Sequence, residues 1–299
     1  MKKNIIVTGG SGFLGSHFIK KFNHNFKRIY NFDINNNKSI LKYKNVKFIK
    51  QDIKKKINIK KLEKIDLIIH TIAKQPYGHN QNFKDFIKVN VDGIQNILEY
   101  SKNLNVKKII TCSSFSVYGK PLNLPVNINH SLSPTNYYGL SKLLAEKISI
   151  FYANKYNIKN IILRFDGLFG FGQNLPGFID FAIKQIKRNK NIELFSLGKQ
   201  IRDQVFIEDA TKAIMKASLY KTKKNNEIFN IGGGEPKNNL EICKKIIKKT
   251  HSKSKIVLLK KKNKNFDYNF YMSLIETKKR LGYKSSKFDN ILKLLKKIW

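Results

Sequence analysis

Cysteine is scarce in this chain of 299 residues, which carries only Cys112 and Cys243. The two lie far apart and form no CxxC pair, so neither a disulfide framework nor a zinc site is supported. Buried apolar packing is the expected role of both. No apolar run reaches the roughly 20 residues that a helix needs to cross a bilayer, and no membrane partner is expected. A secretory leader is also lacking: Met1-Lys2-Lys3 runs within one residue into an apolar strand, which reads as a cytoplasmic chain. Acidic residues are few, 20 against 59 lysines and arginines, for a formal net charge of +39. Such an excess can attract nucleic acid or anionic lipid. Here, however, arginine is rare, and no aromatic-interleaved basic stripe or DNA-binding motif occurs. Lysine is spread from end to end beside equally widespread Asn and Ile, the mark of AAA and AAT codons in an AT-rich genome. No nucleic-acid partner is therefore expected, only a general attraction for anions, phosphorylated substrates among them.

What is present is enough apolar side chain, 41% of the residues, to bury a substantial core. Asn4-Ile5-Ile6-Val7-Thr8 is a continuous apolar run closed by glycines, as expected for a strand buried on both faces. A helix from about Gly12 to Phe22 follows. Strands are predicted at Arg28–Phe32, Val46–Ile49, Asp66–His70 and Lys107–Cys112, with a helical stretch at Phe83–Lys102. A helix from about Tyr137 to Tyr156 then leads to a strand at Asn160–Leu163. This alternation predicts an α/β fold: a doubly wound parallel sheet with helices on both faces. Beyond Arg164 the rhythm loosens. Residues 1–164 are expected to form a dinucleotide-binding domain, with 204–230 returning to it through Val205–Tyr220 and Ile228–Asn230. Residues 165–203 and 231–299 are expected to form a smaller substrate lobe. The Lys260–Lys264 run reads as a solvated loop.

After the first strand comes Thr8-Gly9-Gly10-Ser11-Gly12-Phe13-Leu14-Gly15, opening directly into a helix. Glycines here allow a tight turn, close approach of backbone to a pyrophosphate and close packing of helix on strand, while the helix N-terminus offers N–H groups to the anion. Gly10, Gly12 and Gly15 satisfy GxGxxG, and Gly9, Gly12 and Gly15 satisfy GxxGxxG. Asp33 ends the second strand, where a carboxylate accepts both ribose hydroxyls and repels a 2′-phosphate. No Arg follows it in Ile34-Asn35-Asn36-Asn37, so NAD is the expected cofactor rather than NADP.

Taken together these residues resemble the extended short-chain dehydrogenase/reductases, the NAD-dependent epimerase/dehydratase group that acts on nucleotide sugars. The likeness continues through Gln51-Asp52-Ile53, Ile69-His70-Thr71-Ile72-Ala73, Asn90-Val91-Asp92-Gly93, Ser113-Ser114-Phe115-Ser116-Val117-Tyr118-Gly119 and Tyr137-Tyr138-Gly139-Leu140-Ser141-Lys142. Later segments are Leu163-Arg164, Gly170-Phe171-Gly172-Gln173, Arg202-Asp203 and Asn230-Ile231-Gly232. The resemblance implies a Rossmann-type fold and cofactor contacts from Gly9, Gly12, Phe13, Leu14, Gly15, Asp33, Asp52, Ile53, Ala73, Asn90, Tyr138 and Lys142. Asp52 would reach toward the adenine. Helix packing is the competing role for Asn90, and His70 reads as a structural residue at a strand end.

Tyr138 and Lys142 lie four apart on one helix and share a face. A phenol is too weak an acid to act as a base near neutral pH unless a neighbouring ammonium stabilises the phenolate. Tyr137 is the rival phenol, but only Tyr138 has Lys at the required offset. Ser114, Tyr138 and Lys142 are thus the expected catalytic set, with Ser114 and Tyr138 on the substrate oxygen and Arg202 on a substrate phosphate. A surface ion pair with Asp203 is the alternative for Arg202. The expected reaction is epimerisation of a nucleotide sugar, after the pattern of UDP-glucose 4-epimerases. A keto-sugar reductase or dehydrogenase is the principal rival, and an idle NAD-binding sensor or scaffold is the alternative of another class. A 4,6-dehydratase is disfavoured, because the family's Asp-Glu pair is replaced by Phe115 and Ser116. Where relatives carry an Asn for the substrate diphosphate, this chain has Gly167. A homodimer through the helical segments Phe83–Lys102 and Tyr137–Tyr156 is expected by analogy.

Overall fold

The computed structural model describes residues 2–59, 62–76, 82–173, 177–262 and 268–298, the side chains of 296–298 excepted. Seven parallel strands form one sheet: β1 (Lys3–Thr8), β2 (Phe26–Asp33), β3 (Val46–Lys50), β4 (Leu67–His70), β5 (Lys108–Ser114), β6 (Lys159–Phe165) and a seventh, Asn226–Ile231. Their spatial order is seventh strand, β6, β5, β4, β1, β2, β3. The order reverses between β4 and β1, and a doubly wound sheet opens its ligand crevice at the carboxyl end of such a reversal. The predicted α/β Rossmann-type fold is the one observed.

The apolar runs explain the layering. Along β1, Ile5 and Val7 face one helix layer and Ile6 the other, so every residue of the run is buried. On the first face Phe18 and Ile19 of α1 (Phe13–Phe22) pack with Ala210, Ala213 and Ile214 of the helix Ile207–Leu219. Ile94, Ile97 and Leu98 of the helix Gly93–Asn103 cover the second face, with Ala145 and Tyr152 of the helix Tyr137–Tyr156. A third core, away from the sheet, gathers Phe169, Ile183, Phe206, Ile246, Phe288 and Leu292. Cys112 and Cys243 are both free and buried, as expected.

Two predicted elements differ in detail. The helical stretch Phe83–Lys102 is an α-turn at Phe83–Phe86, a π-helical turn at Ile87–Asp92 and an α-helix over Gly93–Asn103. The wide turn carries Asn90, whose side chain bonds to other segments. Val205–Tyr220 divides into a two-residue strand, Val205–Phe206, and the helix Ile207–Leu219. In the Lys260–Lys264 run, Lys260 to Lys262 are exposed, and Asn263 and Lys264 lie outside the described residues.

One buried polar network joins the helix Tyr137–Tyr156 to the sheet. Glu146 and Arg164 are 1% and 2% exposed, and Arg164 meets both carboxylate oxygens, Nε to Oε1 at 3.0 Å and Nη2 to Oε2 at 2.7 Å. Ser113 donates its hydroxyl to Glu146 Oε1. On the far side Arg164 Nη1 donates to Tyr118 Oη at 2.9 Å, and Tyr118 donates to Asn230 Oδ1 at 2.6 Å. Removing one partner of a buried, bidentate pair leaves a charge with no solvent. Glu146→Leu should therefore cost about 3–5 kcal/mol in urea unfolding, and the double change Glu146→Leu/Arg164→Met clearly less. Equal losses in the two proteins would contradict this assignment.

Candidate active site

The carboxyl edge of the sheet collects most of the residues singled out from the sequence. The chain turns at Gly9, whose φ of +77° lies in the left-handed region that favours glycine, and α1 begins at Phe13. Gly12 is its N-cap and no side chain caps the helix, so the N–H groups of the first turn, at Phe13, Leu14 and Gly15, have no intrahelical acceptor. A Cβ on Gly15 would stand 2.3 Å from the Gly9 carbonyl oxygen, so helix and turn can sit this close only with glycine there. This is a cradle of the shape and polarity that a pyrophosphate needs. Gly10 is constrained as well, since a Cβ there would stand 2.4 Å from Asn31 Oδ1, whereas one on Gly12 would meet only the Gly9 carbonyl oxygen at 3.3 Å.

Asp33 closes the cradle from the end of β2. Its Oδ2 accepts the Ser11 N–H at 3.1 Å and its Oδ1 the Asn35 N–H at 3.2 Å, which leaves lone pairs on both oxygens for a diol. Asp52, just past β3, accepts the Lys54 N–H at 3.0 Å. Ile53 is buried against Gly93, and its carbonyl accepts Asn96 Nδ2 at 2.8 Å. Ala73 lies on the partly exposed segment after β4. Asn90 is 2% exposed and braces that segment: Oδ1 accepts the Lys74 N–H at 2.7 Å, and Nδ2 donates to Ser141 Oγ at 2.8 Å. Its polar atoms are engaged inside the protein, which favours positioning over direct contact.

Ser114 ends β5, and Tyr138 and Lys142 lie in the first two turns of the helix Tyr137–Tyr156 that packs against it. Asn136 starts that helix by accepting the Gly139 N–H at 2.8 Å. A Cβ on Gly139 would stand 2.4 Å from the Ser116 carbonyl oxygen, so glycine lets the helix lie directly on the serine loop. Ser114 Oγ accepts the Ser116 N–H at 3.2 Å and fixes the short turn that follows. Lys142 donates to the Cys112 carbonyl at 2.6 Å. Burial lowers its ammonium pKa, with Cys112 and Glu146 acting in the opposite sense. The three side chains are almost fully buried, and Phe86 sets its ring edge against that of Tyr138 at 6.4 Å. Tyr137, the rival phenol, is exposed and packs its ring 5.2 Å from that of Phe83.

Arg202 lies on a two-residue strand, Ile201–Arg202. Its Nη1 donates to the carbonyls of Ile201 and Tyr268, and its guanidinium sits 5.2 Å from the Tyr268 ring centre. The neighbouring Asp203 carboxylate accepts the N–H groups of Gly234 and Glu235, each at 2.9 Å. Sequence reasoning missed Glu146, although its spacing of four from Lys142 was a usable signal. It also missed Asp166, an acidic residue following an apolar strand.

His70 ends β4, 2% exposed, with Nδ1 2.7 Å from the Thr8 hydroxyl. Burial, reinforced by Lys142, holds its pKa down to about 3. The imidazole thus stays neutral in the fold, which suits the predicted structural role. A depressed folded-state value means that the stability it contributes is complete above pH 6.5 and is lost as pH falls toward 3, because only the unfolded chain takes up the proton. NMR should find no His70 titration between about pH 8 and 5, and His70→Asn should flatten the loss of urea stability over the acid range. A His70 midpoint near the ordinary value of 6.5 would refute the assignment.

A family profile described as the NAD dependent epimerase/dehydratase family matches residues 5–232. The chain is 34% identical to a putative UDP-glucose 4-epimerase of Methanocaldococcus jannaschii, over 77% of either chain. It is also 34% identical to a dTDP-D-glucose 4,6-dehydratase of Dictyostelium discoideum, over 82% of this chain and 62% of that one. Among solved structures it superposes with TM-score 0.82 on the UDP-glucose 4-epimerase of Thermotoga maritima, at 22% identity and 99% coverage of each chain. The UDP-glucuronic acid 4-epimerase of Bacillus cereus, solved in complex with NAD, gives TM-score 0.82 at 24% identity, with 98% and 99% of the two chains covered. By the extent of the profile match and by these relatives, the chain belongs to the NAD-dependent epimerase/dehydratase family.

Proposed function

We propose that this protein is a nucleotide-sugar epimerase with Tyr138 as its general base. The carrying observation is the junction of β5 with the helix Tyr137–Tyr156, where Ser114, Tyr138 and Lys142 are buried together. The glycine cradle would hold the pyrophosphate of NAD, Asp33 would take a ribose diol, and Asp52 and Ile53 would lie toward the adenine. Asn90 positions the Ala73 segment alongside. When bound, NAD supplies the hydride acceptor and donor. Ser114 Oγ orients the sugar oxygen, and Tyr138 removes its proton and later returns it. Lys142 stabilises the phenolate by its charge and would also bind the ribose of NAD. Arg202 binds a phosphate of the substrate diphosphate. Residues 165–203 and 231–299 close over the sugar as a smaller lobe, against a cofactor domain of 1–164 and 204–230.

Relatives include epimerases and dehydratases alike, and two positions support the epimerase reading. Dehydration needs an acid and a base beside the sugar. Phe115, whose ring packs 4.8 Å from that of Phe270, has no ionisable group, and the Ser116 hydroxyl, which bonds to Ser114, is too weak an acid, so neither supplies the acid and base. Epimerisation needs only the triad and a cofactor that stays in place. Tyr138→Phe should lower turnover of a UDP-sugar by about 10³-fold or more while leaving cofactor binding intact. Denatured wild-type protein should release close to one NAD per chain. Full activity in Tyr138→Phe would overturn the mechanism, and an empty protein that binds NADH reversibly would favour a reductase.

We also propose a homodimer. Among the described residues, no helix is long and apolar enough to cross a membrane, yet Tyr137, Leu140, Leu144 and Phe151 form an exposed apolar stripe at helical spacing. A second copy of the same stripe would cover it with two-fold symmetry. Light scattering should report a dimer for the native chain and a monomer for Phe151→Lys. A native monomer would exclude this assembly.

A further inference from the structure

Asp166 directly follows Phe165, the residue of β6 that pairs in register with Ser114. Its N–H donates to the Ile231 carbonyl at 3.0 Å. It therefore stands on the carboxyl edge of the sheet, one step from the proposed catalytic cluster, and only 3% of it is exposed. Oδ1 accepts the Gly167 N–H at 2.6 Å, whereas Oδ2 is buried without a hydrogen-bond partner. Gln204 Oε1 is in the same condition. The two residues adjoin through Gly167: a Cβ there would stand 3.6 Å from Gln204 Cγ, so the Gln204 side chain lies in the space beside that glycine. Buried polar atoms in folded proteins almost always have a partner, and two bare acceptors on neighbouring loops call for donors from outside the chain.

We propose that Asp166 and Gln204 are specificity-determining residues that accept hydrogen bonds from the hydroxyl or amino donors of the substrate's sugar ring. The proposal rests on the nucleotide-sugar reading above. Charge selects the ligand part: a carboxylate repels phosphate, for which Arg202 is at hand in the same cluster, and it attracts O–H and N–H groups. Position agrees, because Asp166 lies beside the strand whose end, Ser114, is assigned to the reacting sugar oxygen. Burial and the Asp203 carboxylate push Asp166 up to about 7, while the Gly167 N–H, the Arg202 charge and a weaker approach of the Asp203 N–H pull the other way. The Tyr268 hydroxyl also interacts with it. Donors from a sugar would favour the ionised form.

Calorimetric titration of NAD-loaded Tyr138→Phe protein with UDP-glucose and with UDP separates the sugar from the nucleotide. In that background Asp166→Asn should weaken UDP-glucose by about ten-fold or more and UDP by less than about two-fold. Gln204→Met should shift the same way by a smaller factor, and it decides the matter if Asp166→Asn melts before it can be titrated. Unchanged binding of both ligands means that ordered water fills the site, and equal weakening of both means that the pair serves the nucleotide end; either result overturns the proposal. A parent protein that binds neither UDP-glucose nor UDP overturns the nucleotide-sugar reading and this pair with it.

Discussion

The Glu146–Arg164 pair is the interaction on which the geometry of the site depends. It lies under the helix that carries Tyr138 and Lys142, and Glu146 is one turn beyond Lys142. Through Ser113 it grips the residue next to Ser114, while Lys142 grips Cys112 on the other side of Ser113. Consecutive residues at the end of β5 are thereby tied to one helix. A shift of that helix by a fraction of an ångström would move the base, the ammonium and the serine together. The chain continues the same network through Tyr118 to Asn230 and, by Asn230 Nδ2, to the Val126 carbonyl at 3.0 Å. Segments far apart in sequence are held by one buried network, charge-assisted at Glu146 and Arg164 and neutral beyond Tyr118.

Burial of such a pair is weak evidence for net stability, since apolar side chains of equal volume can do as well. Its value lies in direction. A bidentate guanidinium–carboxylate contact has one good geometry, whereas apolar packing tolerates sliding. Catalytic side chains need to be held within a few tenths of an ångström, and the pair supplies that where β5, β6 and the helix converge.

Much of this was legible in the sequence, and for physical reasons. Strands buried on both faces read as unbroken apolar runs, so Asn4–Thr8 stood out beside the glycines that follow it. The Tyr138–Lys142 offset is a property of one helix and needs no tertiary knowledge. Contacts between segments were harder to read. Arg164 and Glu146 were each visible, but nothing in their spacing of 18 residues announces that they meet. The orphaned oxygens of Asp166 and Gln204 depend on which groups fail to arrive, and a sequence does not record that. The π-helical turn escaped because its residues, Ile87-Lys88-Val89-Asn90-Val91-Asp92, have ordinary helical character.

That turn has an evolutionary consequence. A π-helical turn is an α-helix with one residue too many, kept because the wider loop lets one side chain leave the regular pattern. Here the departing side chain is Asn90, which binds Lys74 on one side and Ser141 on the other. Loss of a single residue from Ile87–Asp92 would restore a regular helix and improve its backbone, yet it would rotate Phe86 by about 100° relative to Ile94 and Ile97. The apparent repair would separate the wall behind Tyr138 from the apolar face that anchors the helix. An irregularity of this kind persists because each single step toward regularity breaks a contact on one side or the other.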